Sequence, residues 1–152
     1  MHFSPSEIEE LTGWPVASQR DLRRRGLIRN YGEATNGGRW RYDLRDLVAF
    51  YVAFRLHAPG TEGLWLSTIL ATSWTNAPKV IAEIRGERAP GHLLVFQIIR
   101  PHDMEAGGSH LIEASSTAEI VEGNFDEAHI INYRHIAETA RADIKKLIRA
   151  AD

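Results

Sequence analysis

Between Ser4 and Leu56 the chain reads SPSEIEELTGWPVASQRDLRRRGLI, RNYGEATNGGRWRY and DLRDLVAFYVAFRL in direct succession. That order limits the fold more than any other feature. Ser4-Pro5-Ser6-Glu7 predicts a helix start: Ser4 caps the backbone, Pro5 suits the first helical position, and Glu7 reaches back as the capping-box partner. Ile8 and Leu11 share one face, and Gly13 ends this helix in a left-handed conformation. Pro15 predicts a second helix running to about Arg25 and closed by Gly26. Its apolar positions are Val16, Ala17 and Leu22; Ser18, Gln19, Arg20, Arg23 and Arg24 fill much of the rest.

Two helices joined by a turn of a few residues make a helix-turn-helix, whose second helix enters the major groove of duplex DNA with residues near its start on base edges. Ser18, Gln19 and Arg20 occupy that start. Glutamine bonds adenine and arginine bonds guanine in two-pronged fashion. A solvated charged helix face is the plainer reading of the same residues, and the clustering of charge favours DNA over it. Arg20 to Arg29 hold five arginines and one aspartate. Such a local field attracts phosphate even in a protein of net charge −2.

Leu27 to Tyr31 and Arg39 to Tyr42 predict two short strands around Asn36-Gly37-Gly38, a strong turn signal. A hairpin in this place is a wing. Alternation puts Arg39 and Arg41 on one side, within reach of phosphates or the minor groove, and Trp40 and Tyr42 on the other, where Trp40 can pack beneath. Asp43 or Asp46 caps a third helix, along which Leu44, Leu47, Val48, Tyr51, Val52 and Leu56 keep a helical spacing.

These residues resemble the winged-helix domain of the MerR (mercury-resistance regulator) family. The landmarks are Gly13 at the end of the first helix, Gly26-Leu27-Ile28 after the second, Arg41-Tyr42 closing the wing, and Asp46-Leu47 opening the third helix. The resemblance covers roughly the first 57 residues. It implies dimers on palindromic or repeated sites, with contacts near Ser18 to Arg24 and Arg39 to Tyr42. The family usually carries Leu-Arg-Tyr-Tyr within the second helix; here stands Gln19-Arg20-Asp21-Leu22, with only Arg20 on a matching position. That places the chain nearer to looser relatives, among them phage regulators and excisionase-like proteins.

The remaining chain is acidic. Residues 59–152 carry thirteen Asp or Glu against nine Lys or Arg, whereas residues 1–58 carry nine Arg against seven acids. Leu64 to Thr72 and Lys79 to Arg85 predict two helices, the latter beginning after Pro78. Glu87 to Gly91 reads as a boundary. His92 to Arg100 and Leu111 to Glu122 predict a hairpin, Ile130 and Ile131 a short third strand, and Tyr133 to Arg149 a long amphipathic helix capped by Asn132. The expected class is α+β: a winged helix-turn-helix over residues 1–57, a helical connector over 58–90, and a ββα lobe over 91–152. A small two-layer unit of that kind often buries its apolar face by dimerising. The plainer reading has it complete the core of a single chain.

Other chemistry finds little footing. There is no cysteine, which excludes disulfides, zinc-thiolate sites and cysteine nucleophiles. His102 and His110 flank a loop with Asp103 and Glu105, and His129 and His135 are six apart; neither spacing fixes two metal ligands on one face. No phosphate-binding glycine loop or nucleophile elbow appears. The start lacks a signal-peptide pattern and no apolar run spans a bilayer. The expectation is therefore a cytoplasmic, dimeric transcriptional regulator that binds double-stranded DNA, with no enzyme activity, metal, cofactor or membrane. Its DNA-binding residues are Ser18, Gln19, Arg20, Arg23, Arg24, Arg39, Arg41 and Tyr42. The alternative is an excisionase- or antitoxin-like adaptor whose carboxy-terminal lobe binds a protein partner; a small effector for that lobe is also left open.

Overall fold

The capping box read at Ser4 and Glu7 is built, and the third helix, for which the sequence left Asp43 and Asp46 open as caps, starts with a second box formed by both. In the computed structural model, which describes residues 1–57, 63–99, 108–114, 116 and 127–151, the Ser4 and Glu7 side chains cap each other's backbone at the start of α1 (Pro5–Thr12). Asp43 and Asp46 do the same at the start of α3 (Leu44–Leu56). Gly13 closes α1 with φ of 84°. Between them, α2 (Val16–Arg24) ends in a Schellman motif. Gly26 N–H donates to the Arg23 carbonyl and Leu27 N–H to the Leu22 carbonyl, both at 2.9 Å. The motif needs a left-handed residue, and Gly26 supplies it with φ of 74°.

The hairpin is shorter than expected and lies later. Leu27 to Tyr31 is a run of turns rather than a strand. Its apolar side chains explain why: Ile28 and Tyr31 both point into the core, which an alternating strand of that length does not allow. The strands are β1 (Glu33–Ala34) and β2 (Trp40–Arg41), antiparallel, with Ala34 opposite Trp40. Phe3 adds one bridge to Tyr42 on the far side.

A single helix, α4 (Gly63–Arg85), replaces the two expected before and after Pro78. Proline removes the N–H that would bond the carbonyl four residues back, here that of Trp74. Arg45 of α3 fills the gap: its Nε donates to the Trp74 carbonyl at 3.1 Å while its guanidinium lies 3.4 Å over the Trp74 ring. The interruption is thus satisfied from outside the helix, and the helix continues.

Beyond α4, β3 (Leu93–Ile99) pairs antiparallel with β4 (Gly108–Ala114) on one side and β5 (Glu127–Asn132) on the other. The strand expected to Glu122 is described only as far as Ala114. Asn132 caps α5 (Tyr133–Glu138) by accepting the His135 N–H, as read from the sequence. The long final helix is broken, however. Thr139 to Arg141 separate α5 from α6 (Ala142–Ala150). Arg141, at the break, donates to the carbonyls of Glu10 and Leu11 at the end of α1 and pairs with Asp143.

The described residues thus form a mixed α+β fold of six helices and two small antiparallel sheets. One apolar cluster runs through most of it, from Ile8, Trp14 and Leu22 through α3 and α4 to Tyr133, Ile144 and Ile148. Phe50 sits at its amino-terminal centre, with its ring 6.1 Å from Trp14, 4.7 Å from Tyr31 and 5.2 Å from Tyr42. It ties the α1–α2 turn, the segment after α2 and the hairpin to α3. Burying one such side chain stabilises by about 1.5–3 kcal/mol.

Candidate nucleic-acid interface

The two faces of α2 meet different surroundings. Val16, Gln19, Arg20 and Arg23, spaced as one helical face, line a groove of about 780 Å³ against the hairpin and the first residues of α1. Ser18, Asp21, Leu22 and Arg25, on the other face, line a cleft of about 370 Å³ with Trp14, His57 and Leu66. The groove's other wall carries Arg39, Trp40, Arg41 and Tyr42. Four arginines line it against one carboxylate, that of Glu7. Glu7 already accepts from the Ser4 backbone and hydroxyl, both at 2.7 Å, and those bonds hold its carboxyl below the usual range.

Arg20, Arg39 and Arg41 are exposed, and their side chains make no hydrogen bond, ion pair or ring contact among the described residues. They stand on two elements and face one groove. Arg23 differs. Its guanidinium lies 3.4 Å over the Trp40 ring and donates to the Tyr42 hydroxyl at 2.8 Å. It bridges α2 to the hairpin instead of reaching out from the protein.

Four further expected contact residues are buried, turned elsewhere or already paired. Gln19 is 1% exposed, so it cannot extend to a base edge. Its Nε2 donates to the Trp14 carbonyl at 2.8 Å and the Pro5 carbonyl at 3.0 Å, which fastens α2 to both ends of α1. Tyr42 is wholly buried, and burial raises its phenol above the ordinary value despite the Arg23 bond. Ser18 lies in the opposite cleft. Arg24 is exposed but pairs with Asp21 at 2.6 Å, and Arg25 meets the same carboxylate at 3.5 Å. The arginine triplet therefore divides, with Arg23 turned to the hairpin and its two successors around Asp21.

Sequence reasoning missed the joint beneath the hairpin. The buried Asp46 carboxylate accepts from the backbone N–H of Gly32 at 2.9 Å, that of Asp43 at 3.0 Å, and the Trp74 indole at 3.1 Å. Burial pushes its pKa up to about 6 despite those donors, with the nearby Asp43 charge adding to the rise. Gly32 itself is tightly enclosed: a Cβ there would lie 2.5 Å from the Arg41 carbonyl oxygen. The one available signal was the Asp43-Leu44-Arg45-Asp46 pattern, which announces a capping box but not a second duty for its acid.

No group of three or more metal-ligating side chains capable of holding an ion occurs among the described residues. The loop holding His102, Asp103 and Glu105 lies outside them. His129 has its ring 5.0 Å from that of Trp65. No helix among the described residues is long and apolar enough to cross a membrane. Compared with models of known protein families the chain matches none, and no curated protein matches it.

Proposed function

We propose that the protein is a sequence-specific DNA-binding regulator of transcription whose first 57 residues act as a MerR-like winged helix-turn-helix. In this reading α2 enters the major groove and the β1–β2 hairpin is the wing, resting on the backbone or in the minor groove. The carrying observation is the pair of arginine-bearing walls: Arg20 on α2 and Arg39 and Arg41 on the hairpin, all three without partners among the described residues and all facing one groove. Unpaired guanidinium groups on a convex helix and an adjacent hairpin suit a polyanion with a periodic backbone. Arg20 supplies base readout, and Arg39 and Arg41 supply phosphate contacts. Duplex sites read by two copies of one chain carry two half-sites, so a homodimer belongs to the proposal.

The test is selection of bound fragments from a pool of genomic duplexes, followed by titration of the selected site. The expected outcome is a recurring motif with half-sites one helical turn apart, bound with steep dependence on salt. Arg20→Ala lowers affinity for that site by roughly 1–3 kcal/mol and relaxes the preference at one base position. Recovery of no motif, together with salt-independent binding, refutes the proposal.

A further inference from the structure

Two rungs are too few to hold a hairpin in place. An isolated two-stranded hairpin is marginal in water even when longer, and this one pairs only Glu33 with Arg41 and Ala34 with Trp40. Its placement must come from the ties that other elements make to it. Phe3 bridges Tyr42, and Asp46 accepts from Gly32 at the hairpin's entry. Both ties fix the base. Along α2, the tie is Arg23, stacked on Trp40 and bonded to the Tyr42 hydroxyl. The guanidinium reaches two aromatics two positions apart, on one side of the strand: the half-exposed Trp40 and the buried Tyr42. Its Nε is buried without a partner, which leaves the stack on Trp40 as its companion on that edge.

We propose that Arg23 is a positioning residue: it locks the hairpin to α2 and so sets the groove in which Arg39 and Arg41 stand opposite Arg20. The inference rests on the DNA-binding reading for its consequence, but not for its geometry. A planar cation can stack and donate at once; a lysine ammonium of equal charge cannot reproduce that pairing. Charge and position can therefore be separated by substitution. If Arg23 served as a phosphate contact, R23K would largely preserve its effect. If it serves as a lock, R23K resembles R23A.

The first arm is amide hydrogen exchange on the free, full-length protein. The reporters are the Thr35 N–H, bonded to the Arg39 carbonyl at 2.7 Å, and the Gly38 N–H, bonded to the Thr35 carbonyl at 2.8 Å. Both should exchange on the order of tenfold faster in R23A and in R23K, as for local opening, while amides within α3 keep their rates. Unchanged hairpin rates overturn the lock. A uniform acceleration that includes α3 overturns it too, since Arg23 would then serve the whole fold. The second arm is duplex titration in an R39A/R41A background, where a lock has nothing left to position. Adding R23A there should change affinity less than twofold. A further loss, with the salt slope falling by about one phosphate, makes Arg23 a DNA contact and overturns the proposal. A wild type that binds no duplex overturns the DNA reading, and the exchange rates then decide whether Arg23 holds the hairpin.

Discussion

Three of the four arginines of the amino-terminal groove and most basic side chains of the carboxy-terminal helices do opposite things. In the groove, Arg20, Arg39 and Arg41 have no hydrogen-bond, ion-pair or ring partner among the described residues. Towards the other end, most cations are engaged by the fold itself. Arg85 of α4 donates to the Ile148 carbonyl of α6, and Arg149 of α6 donates back to the Ile84 carbonyl, so each helix end is capped by its neighbour. Lys145 donates to the Glu138 carbonyl, Lys79 bonds the Gly91 carbonyl and pairs with Glu113, and Arg141 holds the end of α1. Helix C-termini carry orphan carbonyls and a negative dipole end, which cations satisfy. The lesson is that a count of basic residues says little about a polyanion partner. What matters is which cations the protein leaves unused.

The largest expected effect tests that contrast directly. R20A/R39A/R41A should reduce duplex affinity by roughly a thousandfold and flatten its salt dependence by up to three phosphate contacts. The unfolding midpoint in urea should stay within error, because these exposed side chains make no hydrogen bond or ion pair among the described residues. A triple variant that unfolds more easily would break the comparison at its root.

The hairpin wall can be attacked without touching a charge. At Gly32 a Cβ would meet the Arg41 carbonyl at 2.5 Å, in a left-handed backbone of φ 66°. Backbone of that kind does not yield as a side-chain tip would. Gly32→Ala should cost about 2–4 kcal/mol of stability and loosen the hairpin. Gly37, at the turn, has open space where a Cβ would stand. Gly37→Ala therefore serves as the control and should leave both stability and hairpin exchange nearly unchanged.

Much of this wall was legible in the sequence, and the reasons for the rest are specific. Local signals held: the Ser4–Glu7 capping box, an aspartate cap on the third helix, the left-handed glycines after α1 and α2, and the turn at Asn36-Gly37-Gly38 involve residues within a few positions of one another. Tertiary satisfaction was not legible. Pro78 signalled a helix boundary because the sequence does not show Arg45 waiting at the freed carbonyl. Thr139 to Arg141 carried a continuous stripe, from Ile136 to Ile148, that hid the break. The site followed the same rule. Arg20, Arg39 and Arg41 were read correctly as exposed, since arginine seldom buries alone. Gln19 was misread as outward-facing, because it is buried through a partner distant in sequence, Pro5; Tyr42 faces inward as alternation implies, and its bond with Arg23 is what set it apart from the expected contacts. Register along α2 was the missing quantity, as one position separates the groove face from the opposite cleft.

Asp46 joins the two regions, since its carboxylate holds the hairpin entry and the indole of α4 together. Its pKa stands near 6, above the ordinary 3.8. A carboxyl raised by folding binds its proton more tightly in the folded state than in the unfolded one. Its contribution is therefore complete below about pH 4 and is lost as pH rises through 6. Asp46→Asn has no such titration. The stability difference between wild type and D46N should accordingly move against the wild type by about 2–3 kcal/mol from pH 4 to pH 7, read from urea unfolding at matched pH. A difference that is flat across this range would show that Asp46 is hydrogen-bonded well enough to offset its burial.

The smallest effect probes the other side of the contrast. Arg141 is a half-exposed cation whose Nη1 donates to the Leu11 carbonyl at 3.0 Å and the Glu10 carbonyl at 3.3 Å. Arg141→Ala removes that cap and the Asp143 pair together. The pair is exposed and contributes little; the two bonds to the end of α1 should carry most of a loss of about 1 kcal/mol. Duplex affinity and its salt slope should not change, although one positive charge has gone. If R141A instead weakens binding with a shallower slope, the carboxy-terminal cations are available to the polyanion as well. The division between engaged and unused arginines would then be one of strength rather than of kind.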